Sequence, residues 1–376
     1  MDDGRTTGLE NTEYFTSQLI TYIGNKRALL RQILEVIDTV RSRLGGKFLR
    51  AADLFSGSGV VARLLKEQSS FVISNDLEPY ARAVGECYLA NRGELSGVDL
   101  AGVVRRLNDE AERLVAAPEQ YGFFEELYSP RDETRITASD RVFYTRDNAR
   151  RIDIYRMLLE KEPEQIKKFL LGPLLSEASV HTNTAGVFKG FYKHKDTGVG
   201  QFGGSGKDAL SRILGKIALS VPVLSDTECE YRVIQRDANE AARELPEMDL
   251  VYLDPPYNQH PYGSNYFMLN LIVSNERPEK ISRVSGIPQD WQRSGYNVRG
   301  RAFELFCELA RVVPTKFLLV SYNNEGFISP AMMQSALAPL GNLEIIACPY
   351  NTFRGSRNLG ARSKHVTEFL YLVEKK

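Results

Sequence analysis

Lys47-Phe48-Leu49-Arg50-Ala51-Ala52-Asp53-Leu54-Phe55-Ser56-Gly57-Ser58-Gly59 decides the fold. Up to Phe55 it reads as an apolar strand, and Ser56 to Gly59 as a Gly-rich turn in which backbone can approach a ligand closely. Val60 to Lys66 continues as a helix, Phe71 to Asp76 as a second strand and Glu78 to Ala90 as a second helix. Strand, helix, strand, helix, with glycines after the first strand, opens a doubly wound, Rossmann-like α/β sheet. A helix precedes it, since Leu29, Leu30, Ile33, Leu34, Ile37 and Val40 recur at helical spacing. Residues 1–16 are polar and read as loose.

The alternation stops at 95 and resumes at 229. Residues 95–228 carry helical runs at 101–116, 151–160, 163–171 and 207–218, and a Gly-rich stretch from Gly198 to Gly206. Strands at 231–237, 249–253, 316–322, 343–348 and 366–373 follow, with helices at 301–312 and 330–338. The last two strands are expected to pair antiparallel. The pattern predicts one sheet domain from residues 1–94 and 229–376, with 95–228 inserted as a mainly helical second domain.

The composition sets bounds. The 376 residues carry zero formal net charge, so any nucleic-acid surface has to be local. Cys87, Cys229, Cys307 and Cys348 are isolated, as are His181, His194, His260 and His365. That spacing suggests neither a metal site nor a disulfide scaffold. No signal core or membrane-length apolar run is present, so a cytoplasmic protein is expected.

The chemistry concentrates at Asp254-Pro255-Pro256-Tyr257, which follows the apolar run Asp249 to Leu253 and precedes a polar, aromatic loop, Asn258 to Tyr266. Ligands of open α/β sheets bind at the carboxyl ends of strands. Proline fixes φ and has no N–H, so the tetrapeptide is a stiff lip. Asp254 and the Pro255 carbonyl can accept the hydrogens of an exocyclic amine, and Tyr257 can stack on its ring. Two such acceptors would favour a pyramidal nitrogen and expose its lone pair. A plain loop start is the competing reading. Asp76, at the end of a strand, suits ribose hydroxyls or a helix cap. Asp237 suits the amino group of a cofactor adenine or, equally, a cap for the helix from Ala238. The first turn lacks the third glycine of a dinucleotide fingerprint and any phosphate-binding lysine, which disfavours a dehydrogenase.

The order Tyr22–Lys26, Asp53–Gly59, Asn75-Asp76, insert, Asp237, Asp254–Tyr257 resembles the α-class of DNA adenine-N6 methyltransferases, the Dam-like and FokI-type group. The likeness covers roughly 1–92 and 229–376, and the segment Phe143 to Asp153 resembles one of the FokI-type subgroup. The resemblance implies S-adenosyl-L-methionine as cofactor. Tyr22, Gly24, Asn25 and Lys26 would lie around its methionine end, Asp53, Phe55, Gly57 and Gly59 along its binding turn, Asp76 at the ribose and Asp237 at the adenine. Asp254, Pro255, Pro256 and Tyr257 would hold a target adenine, with Tyr266 closing the loop over it. A basic loop, Arg354 to Lys364, is similar to one the family carries, which makes Arg354 and Arg357 DNA candidates.

The target lies inside a duplex, so it has to be rotated out of the stack. Target recognition is expected from the insert. Lys189, Lys193, His194, Lys195, Lys207, Arg212 and Lys216 are interleaved there with Phe188, Phe191, Tyr192 and Phe202, and Thr182-Asn183-Thr184 and Arg131 are further candidates. A solvated face with core aromatics is the competing reading for part of this set. The expected partner is double-stranded DNA, with a separate cognate restriction endonuclease or none, and a monomer or weak dimer is expected. An RNA-adenine or cytosine-N4 methyltransferase, or a catalytically silent DNA-binding subunit of the same fold, would share much of this pattern.

Overall fold

The computed structural model describes residues 12–351, apart from 205, 207 and 208, and residues 365–376. Among the described residues seven strands form one sheet: β1 (Leu49–Asp53), β2 (Ser69–Asp76), β3 (Glu230–Gln235), β4 (Met248–Leu253), β5 (Thr315–Asn323), β6 (Gly341–Asn351) and β7 (His365–Lys375). Their order is β3-β2-β1-β4-β5-β7-β6. The first five run parallel, while β7 pairs antiparallel with both β5 and β6. Sequence order reverses between β1 and β4, and in doubly wound sheets a crevice opens at such a point, beyond the carboxyl ends of the strands. Asp53 ends β1 and Asp254 follows β4, so the topology brings both acids to that crevice.

The strands are apolar runs because both faces are covered. Leu49, Ala51, Val72, Leu250, Tyr252, Phe317 and Leu319 belong to one core. Ala52, Ile73, Val251, Leu253, Leu318 and Val320 alternate with them into the other. The helices Ala238–Glu244, Arg299–Val312 and Pro330–Leu337 cover the second face. The helices Leu30–Arg43, Val60–Gln68, Pro79–Tyr88 and Phe267–Ser274 cover the first.

Residues 95–228 contribute to that same first core through Leu107, Phe124, Tyr144, Ile152, Phe169 and Leu175, among others. The helix predicted at 163–171 runs on from Glu164 to Val180, through Gly172 and Pro173. Pro173 has no N–H for the Phe169 carbonyl, and the Cys87 thiol lies 3.6 Å from that oxygen as a weak donor. A Cβ on Gly172 would fall 2.7 Å from Cys87 Sγ, so glycine permits the close crossing of this helix over Pro79–Tyr88. The run expected at 207–218 contains a single turn, Leu210–Ile213. Beyond it the Asn148 side chain grips the chain, donating to the Gly215 carbonyl (2.7 Å) and accepting from Ile217 N (2.9 Å).

The rest of the segment Phe143–Asp153 is equally structural. Thr145 caps the helix Arg146–Leu159. Arg151 pairs with Asp147 and Glu112, and Asp153 accepts from Phe124 N and Glu125 N.

Candidate functional site

At the carboxyl end of β1 the chain turns through Gly57 (φ 50°) and Gly59 (φ 77°), in the left-handed region that favours glycine. A Cβ on Gly57 would stand 2.8 Å from the Tyr22 hydroxyl. Asp76 holds this turn, accepting from Gly57 N at 2.8 Å through one oxygen and from Glu78 N at 3.0 Å through the other. The helix that follows is capped by Glu78 without a side-chain bond, so Asp76 braces the turn and is no formal cap. Asn75 knits three strand ends together, donating to the carbonyls of Leu54 (3.1 Å) and Arg236 (3.2 Å). Asp53 is buried. One of its oxygens accepts from Phe55 N at 3.2 Å, and the other has no partner among the described residues. Burial raises the pKa of Asp53 well above the usual carboxylate range and raises that of Asp76.

A pocket opens above this turn. Of the residues expected around a cofactor, Tyr22, Phe55, Asp76 and Asp237 line it, whereas Asp53, Gly57 and Gly59 do not; Glu78, Arg236, Asp254, Pro256, Tyr262, Gln292, Ser294, Tyr296 and Asn297 line it as well. Asp237 caps Ala238–Glu244, accepting from Asn239 N at 2.9 Å, and also lines the pocket. The Phe55 ring meets the Tyr296 ring edge-on at 5.2 Å. The wall at 292–297 and Glu78 were not found from sequence. Glu78 is buried, accepts from Asn270 Nδ2 at 2.7 Å, and is pushed by burial to a pKa of about 8.

A second, larger cleft of about 950 Å³ lies on the other side of the lip, lined by Tyr22 to Arg27, Asp254, Pro255, Tyr257, Asn258, Tyr262, residues 185–187 and Glu368. Gly24, Asn25 and Lys26 line this cleft and not the first pocket, whereas Tyr22, Asp254 and Tyr262 line both. The Lys26 ammonium is 2.8 Å from Asp254 Oδ2, 2.8 Å from the Tyr257 hydroxyl and 3.4 Å from Glu368 Oε1. The Tyr257 hydroxyl donates to Asp254 Oδ1 at 2.7 Å and also reaches Glu368, to which Ser321 Oγ donates at 2.8 Å.

Burial raises the pKa of Asp254, and Lys26 works against it. Burial would lower Lys26, but the Asp254 and Glu368 carboxylates outweigh it and hold its pKa up. The lip is braced from behind by Phe327 N on the Tyr257 carbonyl (2.9 Å) and Asn297 Nδ2 on the Asn258 carbonyl (2.8 Å). Glu368 was missed in the sequence. The only signal was an acid beside the apolar run Phe369 to Val373.

Tyr266 does not reach out over a base. It is fully buried, stacks on Tyr22 at 4.8 Å and accepts from Ile23 N at 2.7 Å, so it supports the wall from beneath. Phe267, Met268 and Leu269 after it are buried too.

Among the expected DNA contacts, Lys189, Lys193 and Lys195 are exposed. They stand on an excursion that closes on itself at His194 N to the Val199 carbonyl (2.8 Å) and Gln201 N to the Tyr192 carbonyl (3.0 Å). Lys189 Nζ comes within 3.4 Å of His260, in the loop after the lip. Other candidates are structural. Arg212 donates to the Thr182 carbonyl (2.9 Å), and Thr182, Asn183, Thr184 and Phe188 are buried, whereas Lys216 stays exposed in a surface pair with Glu112. Lys207 and the loop bearing Arg354 and Arg357 lie outside the described residues.

Sheet order, glycine turn and acidic lip together make this a Rossmann-like methyltransferase. The model of the D12 class N6 adenine-specific DNA methyltransferases matches residues 22–299, and the chain belongs to that family. It is 29 % identical over 363 residues to the type II methyltransferase M.CviAII of Paramecium bursaria Chlorella virus 1, covering 94 % of this chain and 98 % of that one. It is 27 % identical over 365 residues to the type II methyltransferase M.NlaIII of Neisseria lactamica, covering 95 % and 99 %. The modification methylase StsI of Streptococcus sanguinis is 28 % identical over 370 residues, which are 94 % of this chain but 52 % of that protein. Among the described residues no helix is long and apolar enough to cross a membrane.

Proposed function

We propose that this chain moves a methyl group from S-adenosyl-L-methionine to the 6-amino group of an adenine rotated out of double-stranded DNA. One observation carries the reading: Asp254 stands on the wall shared by two cavities, so an amine held by it from the second faces the first. The first pocket fits the cofactor. Tyr22, Phe55, Asp76 and Asp237 line it; next to it Asp53 keeps a buried oxygen without a partner among the described residues, and a Cβ on Gly57 would stand 2.8 Å from the Tyr22 hydroxyl of its wall. Asp76, Asp237, Phe55 and Tyr22 would hold the cofactor there, and when bound it supplies an already activated methyl group.

The protein then contributes position and electrostatics. Asp254 and the Pro255 carbonyl accept the two amino hydrogens and turn the nitrogen lone pair toward the first pocket. Tyr257, fixed through its hydroxyl, offers a ring beside the base. Rotation out of the stack costs about a few kcal/mol, offset in part by such ring contacts. Lys189, near His260 in the loop after the lip, and the exposed Lys193 and Lys195 that follow it suit phosphates of the flanking duplex. Within 95–228, target recognition falls to this exposed excursion more than to the helices packed on the sheet.

The names of the relatives, type II methyltransferases and a modification methylase, support a role in protecting DNA alongside a separate restriction endonuclease. The test is expression in a host lacking adenine methylation, followed by sequencing with modified-base detection. N6-methyladenine at one recurrent sequence is expected. Methylated cytosine, or unmodified DNA, would overturn the reading.

A further inference from the structure

Neither oxygen of Asp254 is idle. Lys26 Nζ lies 2.8 Å from Oδ2, and the Tyr257 hydroxyl donates to Oδ1 at 2.7 Å. A charged N–H donor binds a carboxylate more strongly than a neutral amino group does. Each oxygen keeps a second lone pair, but an amine bound at Oδ2 stands beside the Lys26 ammonium and competes with it for that oxygen. The Lys26 side chain is 6 % exposed, and a buried ammonium moved off its anion needs another.

Glu368 is that anion. Its side chain is 5 % exposed, and Oε1 is already paired with Lys26 Nζ at 3.4 Å, so a small shift of the ammonium tightens that pair as the Asp254 contact is given up. Ser321 Oγ fixes Glu368 at 2.8 Å from β5, beside β7. Tyr257 carries one hydroxyl proton and has both carboxylates in reach, so it can serve one while Lys26 serves the other.

Resting on the reading of this site as an amine-methylating one, we infer that Glu368 is a positioning residue that receives Lys26 when the target amine displaces it from Asp254. The exchange is a change of hydrogen-bond partners, with no covalent bond made or broken. It leaves Asp254 available to the amine and keeps the Lys26 charge compensated.

Glutamine at 368 keeps the shape and loses the charge, while aspartate keeps the charge and loses the shape. The full-length protein, S-adenosyl-L-methionine and unmethylated duplex DNA are used, and N6-methyladenine is counted by mass spectrometry in a single turnover. Glu368→Gln is expected to slow the step about ten- to hundredfold, and Glu368→Asp to slow it less, with cofactor affinity unchanged in both. Glu368→Gln as fast as the parent, or faster than Glu368→Asp, overturns the inference, since a merely structural hydrogen bond favours the isosteric glutamine. If Glu368→Gln does not fold, the pair Lys26→Met with Glu368→Gln is compared with Lys26→Met alone. Equal rates support the exchange, and a further loss overturns it. A parent enzyme that makes no N6-methyladenine refutes the methylation reading itself, and this inference with it. An active parent with the wrong order of variants refutes only the role of Glu368.

Discussion

Two groups of buried or half-buried carboxylates meet at the carboxyl ends of the sheet strands and are stabilised in opposite ways. Asp53 and Asp76 accept from main-chain N–H groups of Phe55, Gly57 and Glu78, which the turn fixes in place. Asp254 and Glu368 share the side chains of Lys26 and Tyr257, which rotate about their own torsions. The cofactor side is thus built as a rigid mould, and the target side as an exchangeable cluster. That division suits an enzyme whose cofactor fits a preformed pocket but whose base has to swing in from a duplex.

Loss of the Asp254 acceptor should have the largest effect. Asp254→Ala is expected to lower methyl transfer by about a thousandfold or more, read as N6-methyladenine formed per enzyme. Next is the mould itself. Gly57→Ala combines a positive φ with a methyl group directed at the Tyr22 hydroxyl. It should weaken S-adenosyl-L-methionine binding at least about tenfold, given about 1–3 kcal/mol for such strain, measured by calorimetry. Unchanged affinity would mean that the turn is not moulded around the cofactor.

The exposed lysines should act more weakly and without regard to sequence. Lys193→Ala with Lys195→Ala should flatten the plot of log affinity for DNA against log salt by about 2, at about 0.9 for each phosphate left without its lysine. An unaltered slope places the DNA elsewhere.

The smallest effect concerns Glu78, buried in the mould. Its folded pKa, near 8, lies above its unfolded value, so the native state takes up a proton. The stability this gives is whole below the unfolded pKa and is lost as pH rises toward 8. Glu78→Gln removes the dependence, so its melting temperature should gain on the parent as pH rises toward 8 and hold steady above. A gap that stays flat across pH would contradict it.

The rigid side was legible because its parts are contiguous. The Asp53–Gly59 turn, Asp76 and Asp237 each close a strand, and a strand end can be found from its own residues. The exchangeable side was half legible. Asp254 to Tyr257 is a local motif, but Glu368 reaches Tyr257 across 111 residues, and only because β7 lies between β5 and β6. Tyr266 misled for a related reason: an aromatic after a polar loop looks exposed until the distant N-terminal segment supplies Tyr22 to cover it. The helix Glu164–Val180 ran past its predicted end because Gly172-Pro173 meets a neighbouring helix that accommodates it.

The most direct test of the contrast is to titrate Asp254→Ala with S-adenosyl-L-methionine by calorimetry, beside a methylation assay on the same preparation. If the two groups of carboxylates act independently, cofactor affinity stays within about threefold of the parent, less than about 1 kcal/mol, while N6-methyladenine formation falls by about a thousandfold or more. Full turnover by the variant, or loss of cofactor binding together with methylation, would contradict the account.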